Sequence, residues 1–516
     1  MNKYYSVKYV IIVYLFINNG FSQLPVNINH PAQNIIKRLA ITNQIPFKHF
    51  GNSSLSTLDA INHLKNRDEQ LIKINSRNIQ FPCRDTTSAT YKSKKRIFKS
   101  SIDGTKKYFL QFMTDSSSFW LDWNENISTI FTDTKNNLQS SDQLSIHGII
   151  KNKIYFFSNF SMNRLKANED TEPFINYTGE WRKYFPENQT ILWYTNHTSL
   201  YIKNALLDFE ISNFPFNWGY SSKNSPNLSS QAVPLNRFSL YKKLNKINFE
   251  YFHASTMSSS IDEIHSKNVK PDKFIAGHRL QYEWNNNFHL SFSELVLYGN
   301  RSPEIAYLNP ITFFWAQEHN LGDLDNVLMS FDIAWNIHPG VALYNTIFID
   351  ELSWKDLNTN WWGNKYAYQL GIFLTSKEFF IPDLRIEYTS IRPWTYTHSD
   401  FPFTNRNRSL GSTYGPSSKV ISIESFYYPR NDIIIHFSTD FLKKGNGQGS
   451  NINDNYDLRN KDLDYDTDFF IDGFSYNVIS KLKIKYHLSD FLQIDYDLHY
   501  DKKEYIVHSL KINANF

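Results

Sequence analysis

Residues 476–516 read YNVISKLKIKYHLSDFLQIDYDLHYDKKEYIVHSLKINANF, and taken two at a time they separate into an apolar face and a polar face. Val478, Leu482, Ile484, Tyr486 and Leu488 fall on one side, with Lys481, Lys483, Lys485 and His487 between them. Leu492, Ile494, Tyr496, Leu498 and Tyr500 then alternate with Gln493, Asp495, Asp497 and His499. A third run sets Ile506, Leu510, Ile512, Ala514 and Phe516 against Lys511, Asn513 and Asn515. A period of two belongs to β-strands whose two faces meet different surroundings.

Consecutive strands with ionised groups on one face and aliphatic or aromatic groups on the other suit a transmembrane β-barrel, with lipid outside and a polar lumen inside. A soluble antiparallel sheet with one face in a core shares the period. The two ends of the chain favour the barrel. Lys3 and Lys8 precede the apolar run 10–17, and Asn18, Asn19, Gly20, Phe21 and Ser22 follow. That order predicts a signal peptide over 1–22. The run is too short for a membrane-spanning helix, which needs about 20 apolar residues. Phe516 falls on the apolar phase, and a terminal aromatic there resembles the signal read by the barrel-assembly machinery of Gram-negative outer membranes.

The rest of the composition agrees. Of 516 residues 16% are aromatic, which suits girdles of Tyr, Trp and Phe at the two membrane interfaces. A net charge of +4 with well-mixed signs gives no argument for nucleic acid. Cys83 is the only cysteine, so intrachain disulfides and thiolate-rich metal sites are excluded.

Residues 23–105 predict a small, largely helical periplasmic segment. Asn34 to Leu39 suggest a short helix after Pro31, and Ser56 with Asp59 resembles a capping box for a second. Residues 106–516 read as the barrel, of about 16–18 antiparallel strands. Its later strands are the clearest. Val327, Met329, Phe331, Ile333, Trp335 and Ile337 oppose Ser330, Asp332, Ala334 and Asn336. Tyr366, Tyr368, Leu370, Ile372 and Leu374 oppose Gln369 and Gly371, and Leu384, Ile386 and Tyr388 oppose Arg385, Glu387 and Thr389. The polar stretch 443–468 reads as an extracellular loop. Its Asp454, Asp457, Asp462, Asp464, Asp466 and Asp468 match no EF-hand spacing, so a solvated loop is expected in preference to a Ca²⁺ site.

Glu294, Glu318, Asp325, Asp350 and Glu351 invite a reading as paired carboxylates for glycoside hydrolysis, two of them about 5–10 Å apart across a sugar. The simpler expectation is a lumen network of Arg279, Glu294, Glu318, Asp325, Asp350, Glu351 and Arg385, in which both signs satisfy each other. His278, His289, His319, His338 and His398 lack the spacing of metal ligands. With no phosphate loop, dinucleotide fingerprint or nucleophile elbow, no enzyme activity, cofactor or metal is expected. Sugar recognition asks for aromatic faces and planar polar groups. Trp218, Trp361, Trp362, Trp394 and Tyr396 are the candidates at the outer mouth, with Lys443 and Lys444 for an anionic polymer.

Between about 204 and 416 short motifs follow one another in a specific order. Asp208, Phe209, Glu210 and Ile211 lead to Phe216, Asn217, Trp218, Gly219 and Tyr220, with Ser229 and Ser230 downstream. Then come His278-Arg279-Leu280, Glu294 with Tyr298-Gly299, Tyr307-Leu308-Asn309-Pro310, Glu318, and Gly322 with Asp325-Asn326. Ile349-Asp350-Glu351-Leu352, Arg392-Pro393-Trp394 and Thr395-Tyr396-Thr397-His398 complete the series. This succession resembles the capsule assembly (Wzi) family of outer-membrane barrels, nearest its gliding-motility branch similar to RemB. The resemblance implies a monomeric barrel of about eighteen strands with a helical periplasmic bundle, holding capsular polysaccharide at the cell surface. The partners it implies are surface polysaccharide, the outer-membrane bilayer and the barrel-assembly machinery. A component of gliding, adhesion or export machinery acting through a protein partner is the alternative, and a passive pore is the third reading.

Overall fold

The computed structural model describes residues 32–45, 47, 94–100, 107–166, 182–257 and 273–515, with single residues and short turns left out of the longer ranges. The signal peptide, the second expected helix and Phe516 lie outside the described residues.

Eighteen antiparallel strands close into one ring. In chain order they are β1 (Ser118–Phe131), β2 (Asn136–Ile150), β3 (Ile154–Lys166), β4 (Thr190–Ile202), β5 (Asp208–Ser212) and β6 (Asn236–Leu244). Next come β7 (Ile247–Thr256), β8 (Lys273–Asn285), β9 (Phe288–Gly299), β10 (Asn326–His338), β11 (Val341–Glu351) and β12 (Lys365–Leu374). The last six are β13 (Asp383–Ile391), β14 (Ser418–Arg430), β15 (Ile433–Gly445), β16 (Phe474–His487), β17 (Leu492–Asp501) and β18 (Tyr505–Asn515). The ring closes where β18 pairs with β1, from His508 opposite Phe131 to Asn515 opposite Asn124. Closure leaves no unpaired edge for lipid to meet.

β18 stops opposite Asn124, so the first residues of β1 need another partner. A hairpin of Lys94–Ser100 and Lys107–Met113 supplies it, with Leu110 opposite Leu121 and Met113 opposite Ser118. Among the described residues, strand Lys94–Ser100 thus falls inside the 23–105 range for which a helical segment is expected. Covering that edge outweighs the weak local signal.

Along the strands the alternation is strict. On β10, Phe331, Ile333, Trp335 and Ile337 are exposed outward, while Ser330, Asp332, Ala334 and Asn336 are buried inward. The two ends of the ring differ. One carries short turns, such as 245–246, 286–287 and 339–340; the other carries the long segments 300–325, 352–364, 392–417 and 446–473.

Eighteen strands enclose more space than their own side chains fill, and three segments occupy it. At the short-turn end lies α1 (Ala32–Ile41), whose Ile35, Ile36, Leu39, Ala40 and Ile41 pack against Tyr220, Tyr344, Phe373 and Ile434. Arg38 pairs with Asp383 at 2.7 Å, both side chains 1% exposed. The carbonyl of Ile41 accepts from the Gly340 amide in a barrel turn, which satisfies the helix end. Mid-lumen, the segment 213–235 leaves β5, crosses the interior and returns to β6. Trp218 stacks edge-on with Phe252 at 5.2 Å and donates its indole N–H to Glu250 at 3.1 Å. Ser221 donates to Glu387, and Asn227 to Ser330. Nearer the long-loop end, 392–417 folds inward, and the Tyr396 hydroxyl reaches the Pro226 carbonyl at 2.6 Å.

Packing is tight enough that small residues become necessary. Gly219 has φ +104°, and a Cβ there would lie 2.9 Å from the Ser225 hydroxyl, with Thr346 and Asp332 close behind. Only glycine takes this turn without strain. Gly219→Val is expected to lower stability by about 1–3 kcal/mol, seen as a lower urea midpoint for loss of the heat-modifiable gel band; an unchanged midpoint would show that the segment does not brace the ring.

Candidate functional site

The long-loop end is roofed by the segment 446–473. Gly449 lies over the Trp394 indole, where a Cβ would sit 2.6 Å from the ring, and its carbonyl accepts the Trp394 amide at 2.9 Å. Asp454 caps this turn through the Gly449 amide at 2.7 Å. Asp464 holds Arg459 in a two-pronged pair, 2.8 and 2.9 Å. The stretch expected to be a solvated loop is thus a folded cover, because its carboxylates bind its own amides and its own guanidinium.

Beneath the cover an aromatic cluster forms. Trp362 lies 6.1 Å from Trp361, 6.2 Å from Trp394 and 5.5 Å from Tyr456. The Arg459 guanidinium sits 3.7 Å over the Trp362 ring. The Lys365 ammonium lies 4.2 Å from the Tyr456 ring centre and 3.1 Å from the Glu351 carboxylate. His398 meets Tyr456 edge-on, and its Nδ1 accepts the amides of Asp400 and Phe401 at 3.2 and 3.1 Å. Burial, and then the Lys365 charge, push the His398 pKa down to about 4. A neutral imidazole accepting at Nδ1 carries its proton on Nε2. The mouth therefore presents half-buried ring faces, the partly buried Arg459 guanidinium and a neutral N–H donor, with the fully buried Lys365 ammonium behind them.

Other candidates are placed elsewhere. Trp218, Trp394 and Tyr396, expected at the outer mouth, are buried: Trp218 in the lumen and the other two beneath the cover. Trp394 and Tyr396 have φ of 64° and 76°, a strained pair of left-handed residues. Asp350 holds them by accepting the Tyr396 amide at 2.5 Å. Lys444 is occupied by the carbonyls of Tyr414, Ser450 and Pro416, tying the cover to 392–417. Lys443 points out of the barrel. Trp361 and Trp362 are the named aromatics that stay half-buried at the mouth.

The expected lumen network divides across the barrel wall. Arg279 pairs inward with Asp332 at 2.5 Å, and Arg385 with Glu424 at 3.1 Å. Glu294 shares a phase with Val296 and Tyr298 and faces outward, yet it is fully buried. The segment 300–325 folds down over the outer wall and covers it. Two short helices, α2 (Ile305–Leu308) and α3 (Phe314–Leu321), form this arm. Glu294 accepts the Phe314 and Trp315 amides at 2.8 and 2.7 Å, so a carboxylate caps the start of α3. His278, its cross-strand neighbour, lies 3.1 Å away and stacks on Phe314. Asp325 holds Arg301 at 2.9 and 2.6 Å and the Tyr307 hydroxyl at 2.7 Å. Glu318 lies on α3, its pKa raised to about 7 by burial and then by Asp323. Glu318, His319 and Asp323 bring ligand atoms within 4.8 Å of one another, enough to hold a cation. Asp350 lies in the lumen, Glu351 on the rim, Glu294 on the outer wall, and Glu318 and Asp325 in the arm that covers it, so the five carboxylates are not gathered at one site. His289 stacks on Phe47 inside, and His338 lies in an exposed turn.

With this geometry in view, comparison with solved structures is informative. The chain is similar in fold to Wzi. That protein of Escherichia coli, an outer-membrane protein involved in group 1 capsule assembly and a carbohydrate-binding β-barrel, matches with a TM-score of 0.56 at 12% identity. The match covers 96% of this chain and 100% of that one. OccK8 (OprE) of Pseudomonas aeruginosa, at 10% identity and TM-score 0.45, covers 78% of this chain and 98% of its own. OccAB2 of Acinetobacter baumannii gives the same identity and coverage at TM-score 0.44. No family model matches the chain. No curated protein matches it either.

Glu294→Ala strips the α3 start of its acceptor, at about 1.5–3 kcal/mol per hydrogen bond to a charged group. Proteolysis within 300–325 should become at least about tenfold faster than in the parent; equal rates would show that the arm is held by its apolar contacts alone. His398 supplies a pH test. Unfolded, it takes up a proton below about pH 6.5, and folded only near 4. Between those values the unfolded state binds more protons, so its contribution is complete above pH 6.5 and is lost as pH falls towards 4. Tryptophan emission from the mouth should shift as pH falls through about 4, where the folded imidazole takes up its proton, and the shift should vanish in His398→Gln.

Proposed function

We propose that this chain is a non-enzymatic outer-membrane barrel of the Wzi type that holds a surface polysaccharide at its long-loop mouth. The observation that carries the reading is the half-buried Trp361, Trp362 and Tyr456 cluster with Lys365, Arg459 and the His398 N–H around it. Indole faces suit the C–H face of a pyranose, and the Arg459 guanidinium and the imidazole suit hydroxyl or carboxylate groups. The carbohydrate binding stated for Wzi supports it. In this reading the short turns and α1 face the periplasm and the polymer arrives from other assembly proteins. A protein partner in gliding or adhesion machinery is the rival use of the same mouth.

A second reading, a pore, draws on the lumen itself. The inward-folded segments pack against the β3–β15 side, whereas Asn124, Gln143, Lys481, Lys485 and Asp497 line the opposite wall and are half-buried or exposed. Planar-bilayer recording separates the two: steady conductance from the intact protein would favour the pore.

Deleting the protein should shift polysaccharide from the cell-bound to the released fraction at unchanged total yield. The purified barrel should bind that polymer, and the Trp361→Ala, Trp362→Ala double variant should bind it at least about tenfold more weakly, one to two stacking contacts being of that order. Unchanged retention in deletion cells, with no binding by the purified protein, would end this proposal, and defective spreading with normal polysaccharide would turn attention to the motility partner.

A further inference from the structure

The outer wall carries a pair of like charges without a directly paired carboxylate among the described residues. Lys419 of β14 and Lys443 of β15 stand directly opposite each other in the register. Both lie on the outward phase: Ile421 and Phe441, the next outward pair below them, are exposed with the rest of the apolar band. The lysines therefore sit at the upper limit of that band, at its long-loop end. Like charges directly opposite on one face of a sheet repel. Among the described residues neither ammonium has a carboxylate partner within 4.0 Å; ring faces stand in for one.

Those rings form a continuous floor. Lys419 lies 4.4 Å from the Phe469 ring centre and 5.6 Å from that of Phe470. Lys443 lies 4.3 Å from Phe470, 3.5 Å from Phe474 and 5.7 Å from Tyr476. Phe470 thus serves both lysines. Phe469, Phe470, Phe474 and Tyr476 contact one another in sequence, with centroids 4.8, 5.3 and 5.0 Å apart. Phe474 and Tyr476 are 42% and 63% exposed, so the outer side of this floor is open. A ring face occupies one side of an ammonium and leaves its other N–H donors seeking an anion.

We propose that Lys419 and Lys443 together bind the phosphate of a lipid headgroup in the outer leaflet, with Phe474 and Tyr476 against the first part of its acyl or sugar body. This rests on the membrane reading above. The occupant follows from position and charge. A site on the outer wall, immediately above an apolar band, meets lipid headgroups before any soluble anion. The two lysines stand on neighbouring strands whose backbones are about 5 Å apart, so their long flexible side chains can both reach the oxygens of one phosphate. Aromatic residues at the same height are the usual companions of a headgroup layer.

The test uses the full-length mature protein in nanodiscs, loaded with equal amounts of a phosphorylated glycolipid (lipid A) and the same lipid with its phosphates removed. Bound lipid is counted by native mass spectrometry after release from the disc. The parent should retain the phosphorylated form at least fivefold over the other. Lys419→Gln, Lys443→Gln should lose that preference, and Lys419→Arg, Lys443→Arg, which keeps both charges, should retain it. Heat-modifiable gel mobility confirms that each variant is folded. A preference that survives the double Gln change, or retention abolished by tenfold excess inorganic phosphate, overturns the proposal. Failure of the parent to insert into nanodiscs would instead overturn the membrane reading, whereas insertion without lipid preference sinks this inference alone.

Discussion

A ring of eighteen strands cannot fill its own interior. That geometric excess is the constraint on which the rest of this molecule depends. Inward side chains of β7–β15 are long and charged, and in a half-empty lumen each would need water or a partner. The structure supplies partners by folding chain inward: α1 from the short-turn end, 213–235 through the middle and 392–417 from above. Arg38 with Asp383, Trp218 with Glu250, Ser221 with Glu387 and Tyr396 with Pro226 each join an insert to the wall or to another insert. Buried charge is stabilised where both signs meet, as at Arg38 and Asp383, and elsewhere by hydrogen bonds from neutral donors such as Trp218 and Ser221.

The sequence motifs take on physical roles in that light. The Trp-Gly turn at 218–219 is a plug corner, where an indole enters a slot beside Gly277 and the next residue needs a left-handed backbone. Arg392 to His398 forms the strained upper rim, with Asp350 holding its amides in place. Tyr307 to Pro310, Glu318, Gly322 and Asp325 build the external arm. None of these needs a ligand to explain it. The proposed ligand site is instead the space between the rim and the cover, where Trp361, Trp362, Tyr456, Lys365 and Arg459 meet.

The external arm shows how a general expectation is displaced by local packing. A carboxylate on a strand flanked by aliphatic residues is expected to turn inward, since lipid rejects it. Glu294 turns outward and is accommodated because α3 brings two amides to it and Phe314 and Tyr307 seal it from the surroundings. The cost of burial is offset by the helix start it caps. Beyond this cover the arm exposes Ile311, Phe313 and Trp315 outward, so the apolar surface of the barrel is continued by the arm that hides the charge.

The sequence by itself determined the class of fold, the number of strands to within two, and the inward or outward phase of β10, β12, β13 and β16–β18. Those properties are local: a period of two needs only neighbouring residues, and lipid and lumen sort them the same way on every strand. The short helix at 32–41 was legible for the same reason. Tertiary structure decided which polar residues face which space once loops fold back. Glu294 turned to the outer wall beneath the arm, Glu318 and Asp325 fell in the arm itself, Trp218, Trp394 and Tyr396 went under cover, and Lys443 turned to the outer wall. Tyr456 and Arg459, which complete the mouth cluster, gave no signal in a stretch that reads as solvated loop. Their meeting with Trp362 depends on a contact between segments almost a hundred residues apart, and no periodicity in either segment encodes which surface a long loop will close upon.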